Sequence, residues 1–276
     1  MPTGEESGVS AVLRVSDVSV AFGGIVALDG VSLEVSAGEV LGVIGPNGAG
    51  KTTLFNVICG FVRPDSGELT WRGRPLGGVR PDRLASLGIA RTLQGVGLFP
   101  GLTVLENVMA GAHRFRRAGM LSGLLALPHS DRDERRLRER ALAKLRDLDC
   151  AQVADRLPGS LPYAVQKRVA LARALVSEPE LLLLDEPAGG LDSTELSDLA
   201  KTITSLGSSI AVMLVDHHMD LVISVCDRVV VLDFGSVIAA GVPPEVRRNP
   251  RVLEAYLGRE AEHETVSAGG QDDARG

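Results

Sequence analysis

Eight consecutive residues, Gly45-Pro46-Asn47-Gly48-Ala49-Gly50-Lys51-Thr52, have the types and spacing that hold a polyphosphate anion. They complete the pattern G-x-x-x-x-G-K-[ST]. The glycines let successive backbone N–H groups point into one concave site, and a helix starting there adds its partial positive charge. Lys51 supplies a mobile full charge to the β- and γ-phosphates. The Thr52 hydroxyl is a hard oxygen ligand for Mg²⁺, and Thr53 follows in the same first turn. A second segment, Leu181-Leu182-Leu183-Leu184-Asp185-Glu186-Pro187, ends an apolar run in two carboxylates. Asp185 is expected in the Mg²⁺ shell, and Glu186, one residue on, is expected to polarise an attacking water as general base.

These groups can act together only if strands and helices deliver them. Val40 to Ile44 is a short apolar run that ends in the glycine loop, which suits a strand buried on both faces. Leu181 to Leu184, Ile210 to Val215 and Val229 to Leu232 are similar runs, and Thr52 to Cys59 and Gln166 to Val176 read as helices between them. Buried strands alternating with helices predict a parallel α/β core. Val31, Leu33 and Val35 alternate with polar residues, as on a half-buried strand. Asp131 to Asp149 is charge-dense, but Leu137, Ala141, Leu145 and Leu148 form one narrow helical stripe, with the arginines on a solvated face. This predicts a helical insert. The apolar stretch Ala118 to Leu127 is open to two readings, core packing or a docking patch. After Gly258 the chain turns polar and Gly-rich, and Arg259 to Gly276 reads as a loose tail.

Composition narrows the function classes. A chain of 276 residues, 45% hydrophobic and 23% charged, has enough length for a substantial core. A net charge of −6 and only 3% aromatic residues argue against nucleic-acid binding. The cysteines Cys59, Cys150 and Cys226 stand far apart with no CxxC pair, which argues against a disulfide framework or a zinc site. No apolar run reaches the roughly 18 residues of a membrane span, and the first ten residues lack the order of a signal peptide.

With those motifs in place, the chain resembles the ATP-binding subunit of ABC transporters from Leu13 to Gly258. Gln94, in Arg91-Thr92-Leu93-Gln94, looks like the Q-loop glutamine that joins the Mg²⁺ site to the membrane subunit. LPYAVQKRVALARAL, Leu161 to Leu175, looks like the signature segment and its helix. Ala188-Gly189-Gly190-Leu191-Asp192 resembles the D-loop. His217 follows a buried strand and an acidic residue, like the family's switch histidine, and His218 replaces the acid often found next to it. Phe22 lies where an aromatic residue stacks on adenine, and it reads equally as a core aromatic. The resemblance implies an α/β fold: a phosphate-loop NTPase core with a mostly parallel sheet, an antiparallel β subdomain and a helical subdomain. The nucleotide-binding domain would cover 11–258, with the helical subdomain at about 95–178 and a flexible tail at 259–276.

Finer features point to a subgroup. Phe22-Gly23-Gly24, the insert HRFRRAGMLSGLLALP ending at Pro128, the LPY opening and GVPPEVRRNPRVLEAYLG (Gly241 to Gly258) look like the branched-chain amino-acid importer group. A sister group transports urea, and a soluble or regulatory ABC protein with weak hydrolysis is a further alternative. The resemblance implies an ATPase at the cytoplasmic face of the cell membrane, using ATP and Mg²⁺. Its partners would be membrane permeases, a second ATP-binding subunit and an extracytoplasmic solute-binding protein, with no nucleic acid. One departure matters. Where the family signature reads L-S-G-G-Q, this chain has Leu161, Pro162, Tyr163, Ala164 and Val165. Pro162 removes a hydroxyl and an N–H, and Ala164 adds a β-carbon where phosphate approaches the backbone. Because each signature in the family closes over ATP held by the other chain, a heterodimer with one fast and one slow site is expected.

Overall fold

The computed structural model describes residues 11–92, 95–115 and 128–256. The expectations for Gln94, for Ala118 to Leu127 and for the tail at 259–276 lie outside the described residues. The chain forms two compact units, one of residues 1–78 with 214–276 and one of residues 79–213.

The first unit opens with β1 (Ala11–Phe22) and β2 (Ile25–Ser36), an antiparallel hairpin turned by Gly23 and Gly24. Its inner face is apolar: Leu13, Val15, Val18 and Val20 on β1, and Leu28, Val31, Leu33 and Val35 on β2, are all buried. Side chains of this size contribute about 1.5–3 kcal/mol each when fully buried. The chain continues through β3 (Val40–Ile44), buried along its whole length, into α1 (Lys51–Ile58), whose Leu54, Phe55, Val57 and Ile58 face the core. It then forms β4 (Ser66–Trp71) and β5 (Arg74–Pro75), which complete an antiparallel sheet in the order β2-β1-β4-β5.

The second unit contains the short α2 (Leu84–Leu87) and β6 (Ile89–Arg91), then α3 (Val104–Gly111). A reciprocal cap between Thr103 and Glu106 starts α3, and the N–H and hydroxyl of Thr103 hold the Glu106 carboxyl below its usual range. The charge-dense stretch forms α4 (Pro128–Asp147), and Ala141, Leu145 and Leu148 of the sequence stripe are buried. It is followed by α5 (Tyr163–Leu175), β7 (Leu181–Asp185), α6 (Ser193–Gly207) and β8 (Ala211–Val215). Helices α3 and α5 cross closely, because a β-carbon at Gly111 would collide with the Arg173 carbonyl. Strands run in the order β8-β7-β6, with β6 parallel to β7.

β8 leads the chain back to the first unit, where α7 (Met219–Val225), β9 (Arg228–Asp233), β10 (Ser236–Gly241) and α8 (Pro243–Val246) precede a helical segment at 250–256. β9 lies parallel to β3, from Leu41 beside Arg228 to Ile44 beside Val231, and β10 returns antiparallel along β9. No helix among the described residues is long and apolar enough to cross a membrane.

Candidate active site

In the first unit the glycine loop is tied to its neighbours at both ends. Gly45 has φ of +149°, and a β-carbon there would collide with the Leu232 carbonyl of β9. Gly50, at φ +103°, starts α1 in the left-handed conformation, and a β-carbon would stand 2.5 Å from the Ala27 carbonyl oxygen. The turn after β9 braces the loop, since Gly235 N–H donates to the Ala49 carbonyl at 3.1 Å and Asp29 N–H donates to the Gly235 carbonyl at 2.9 Å. Gly45, Pro46 and Ala49 are buried, whereas Asn47, Gly48 and Thr52 are exposed and Thr53 is half-buried. Lys51 is 9% exposed and its Nζ donates to the Gly45 carbonyl at 2.7 Å and the Pro46 carbonyl at 2.8 Å. The ammonium therefore lies against the loop's own backbone, where a phosphate could draw it away.

Two aromatic residues of this unit bear on the loop and its surroundings. Phe22, at the end of β1, is 50% exposed, so the core reading of this residue does not hold. Tyr256, which the sequence reading did not single out, hydrogen-bonds with the Gly45 backbone, and burial pushes its phenol up.

The same unit carries the end of β8. Asp216 is buried, and its Oδ1 accepts from the His218 backbone N–H at 2.9 Å and pairs with His218 Nδ1 at 2.7 Å. His217 Nδ1 lies 3.9 Å from that oxygen, and its side chain is 59% exposed against 34% for His218. His217 thus has the freedom to reach a ligand. His218 is the histidine that the buried carboxylate orients.

In the second unit, Asp185 ends β7 with its carboxylate buried and held by Arg91 of β6 at 2.7 Å. Thr92 secures the same strand end, donating its N–H to the Leu183 carbonyl at 2.9 Å and accepting from Asp185 N–H at 3.3 Å through Oγ1. Glu186 turns into the left-handed region, at φ +47°. A non-glycine residue there is strained and needs its surroundings to hold it. Lys167 of α5 does so, its Nζ donating to the carbonyls of Glu186 at 3.3 Å and Pro187 at 2.7 Å.

The signature segment starts α5. Leu161 is buried, Pro162 takes the N-cap position without a side-chain hydrogen bond, Tyr163 is exposed, and Ala164 and Val165 are half-buried. Tyr163 lies beside Gly190, where a β-carbon would meet its ring at 3.0 Å. Asp192 caps α6, accepting from Glu195 N–H at 2.8 Å. A cavity of about 570 Å³ within this unit is lined by Pro162, Ala164, Val165, Lys167, Asp185 and Glu186, among others. Thus β7, α5 and the start of α6 bring the carboxylate pair and the signature segment to one hollow. Arg91 and Lys167 are the residues here that sequence reasoning missed, and the basic residue in Arg91-Thr92-Leu93-Gln94 was the available signal for the first.

Within the second unit the Asp185 carboxylate is a hard oxygen donor of the kind that Mg²⁺ takes, and Arg91 fixes its orientation.

Residues 28–189 match the family model described as ABC transporter, and residues 236–262 match the one described as branched-chain amino acid ATP-binding cassette transporter. The chain is 40% identical to the high-affinity branched-chain amino acid transport ATP-binding protein BraF of Pseudomonas aeruginosa, over 90% of this chain and 98% of that one. It is 38% identical to LivG of Escherichia coli K12, a protein of the same description, with the same coverage. Among solved structures, the ADP conformation of the ATP-binding cassette MJ1267 aligns with a TM-score of 0.77 at 30% identity, over 90% of this chain and 99% of that one. The phosphate loop, the carboxylate pair and this end-to-end likeness lead to one assignment: the chain belongs to the ABC transporter family, as an ATP-binding cassette with ATPase activity.

Proposed function

We propose that the chain drives the uptake of branched-chain or other hydrophobic amino acids, hydrolysing ATP at the cytoplasmic face of a membrane permease. The observation that carries this reading is the 40% identity with BraF, which extends over 98% of that protein. The match of residues 236–262 supports the same subgroup.

In the proposed chemistry the loop from Gly45 to Thr53 cradles the phosphates through its backbone N–H groups, and Lys51 gives up its loop carbonyls to pair with them. Phe22, exposed at the end of β1, offers a face to adenine. Thr52, Asp185 and Gln94 would hold Mg²⁺, which supplies charge neutralisation at the phosphoryl oxygens. Glu186 takes a proton from the attacking water. His217, exposed beside the buried Asp216 carboxylate, would donate a hydrogen bond to the terminal phosphate. Leu161, Pro162, Tyr163, Ala164 and Val165 would cap ATP held by a second ATP-binding subunit, with Asp192 in the turn beside them. A heterodimer is favoured because a homodimer would face two altered signatures.

Co-expression with the neighbouring permease and binding-protein genes, followed by uptake assays in vesicles, tests the reading. Leucine, isoleucine or valine should accumulate with ATP inside and stop with Glu186→Gln. Accumulation of urea in place of amino acids would overturn the proposed cargo and leave the ATPase assignment standing.

A further inference from the structure

Among the described residues, Asp216, His217 and His218 present three donor atoms within 4.8 Å of one another. The two imidazole rings lie on the same side of the chain, with centroids 4.2 Å apart and planes inclined by 38°. Asp216 is a rigid anchor, its carboxylate fully buried at the end of β8, while His217 is open to solvent. Two imidazoles and a carboxylate form a borderline donor set, suited to zinc and its neighbours and poorly suited to Mg²⁺.

We propose that Asp216, His217 and His218 form a second cation site, for a divalent transition ion of the zinc class, and that its occupancy arrests the motor. The geometry needs little movement. Zinc bonds of about 2.0–2.1 Å place neighbouring donors about 3.3 Å apart in a tetrahedron. Asp216 Oδ1 and His218 Nδ1, now 2.7 Å apart, open slightly, and His217 Nδ1, now 3.9 Å from the same oxygen, closes by rotation of an exposed side chain. The ion replaces the proton that His218 Nδ1 shares with Asp216, and that proton moves to Nε2, so the imidazole stays neutral. Water fills the remaining coordination. An ion held here withdraws His217 from the phosphate. That regulatory consequence rests on the reading of His217 as the switch histidine, whereas the binding site itself does not.

The full chain, freed of nucleotide and Mg²⁺, is titrated with ZnCl₂ by calorimetry. One equivalent should bind, weakened about tenfold or more by His218→Asn and lost in the His217→Asn/His218→Asn double variant. A variant with His113, His129 and His263 all changed to Asn should bind as the unaltered chain does. Unchanged zinc affinity in the double variant overturns the proposal. In the unaltered chain, zinc should also shift the imidazole NMR signals of His217 and His218, and shifts confined to other histidines would overturn it without reliance on any substitution. In the assembled transporter, zinc should slow ATP hydrolysis and 1,10-phenanthroline should restore it, and full activity at saturating zinc sinks the regulatory half. The first two readouts use no ATP, so a chain lacking the proposed motor activity could still pass them, and an active motor could still fail them.

Discussion

Glu186 and Lys167 act on each other through the backbone. A left-handed residue with a side chain costs roughly 1–3 kcal/mol, and the two carbonyls that Lys167 holds lie in that turn. A charged donor contributes about 1.5–3 kcal/mol per hydrogen bond, enough to offset the strain. Lys167→Met should therefore let the turn relax and displace the Glu186 carboxylate proposed to act on water. We expect kcat of the assembled complex to fall about tenfold, equivalent to roughly 1.4 kcal/mol, with KM for ATP little changed. Lys167→Arg should recover most of it, and a matching rise in KM would show that the lysine binds nucleotide instead. Glu186→Gln should keep ATP binding but lower turnover by about 10²-fold or more, read by equilibrium binding and phosphate release in parallel. The carboxylate pair was legible because it sits in one local pattern. Its supports were not: Arg91 lies 94 residues from Asp185, and Lys167 lies 19 residues from Glu186. Asn107 is similar. It is fully buried and ties Phe99, Leu102 and Thr103 to α3, but nothing in its sequence neighbourhood marks it.

At the scale of elements, strands buried on both faces were read correctly because an unbroken apolar run needs no register. β3 and β7 match the runs at Val40 and Leu181 to within a residue. β1 escaped notice for a physical reason. Its buried residues, Leu13, Val15, Val18 and Val20, break the two-residue alternation between Val15 and Val18, where a register shift occurs. β6 is only three residues long, too short to show any period. α5 begins three residues earlier than the Gln166 expected, because Pro162 fits an N-cap position with its φ of −54°. That start lacks a side-chain cap, so Pro162→Ser should add a hydroxyl acceptor and raise the unfolding free energy by about 0.5–1 kcal/mol, read as a higher urea midpoint. The core around β3 has its own pH signature. Cys226 packs where Gly42 leaves room, and burial pushes its thiol from the usual 9.0 up to about 12, with Asp227 adding to the effect. The unfolded thiol ionises first as pH rises, so the unfolded chain gains. This contribution to stability is complete below about pH 9 and is lost progressively towards pH 12, at up to about 1.4 kcal/mol per pH unit. Urea midpoints between pH 9 and 11 should fall more steeply for the unaltered chain than for Cys226→Ala. Parallel slopes would show that the thiol is not protected, and burial of Cys150 and Tyr256 accounts for the slope that remains.

At the scale of the assembled molecule, the two halves of the chemistry are of unequal quality. The phosphate loop is complete, and Glu186 and His217 are both present. The signature is altered, with Pro162 at the uncapped start of α5 and Ala164 and Val165 standing where the family pattern has glycine and glutamine. In a head-to-tail pair the good loop of this chain meets the partner's signature, and the altered signature meets the partner's loop. Loss of one phosphate donor costs on the order of 10²-fold in turnover, so the site capped by this chain should hold ATP and cycle slowly. Glu186→Gln in this chain should then remove nearly all ATPase activity of the complex, while the same change in the partner removes little. Pro162→Ser combined with Ala164→Gly and Val165→Gln should narrow that difference, because it restores the hydroxyl, the bare backbone and the amide together. Phosphate release measured on complexes carrying each single glutamine variant reads both quantities in one experiment. Equal losses from the two variants would mean that the altered signature serves its site as well as an orthodox one, and the asymmetry would have to be abandoned.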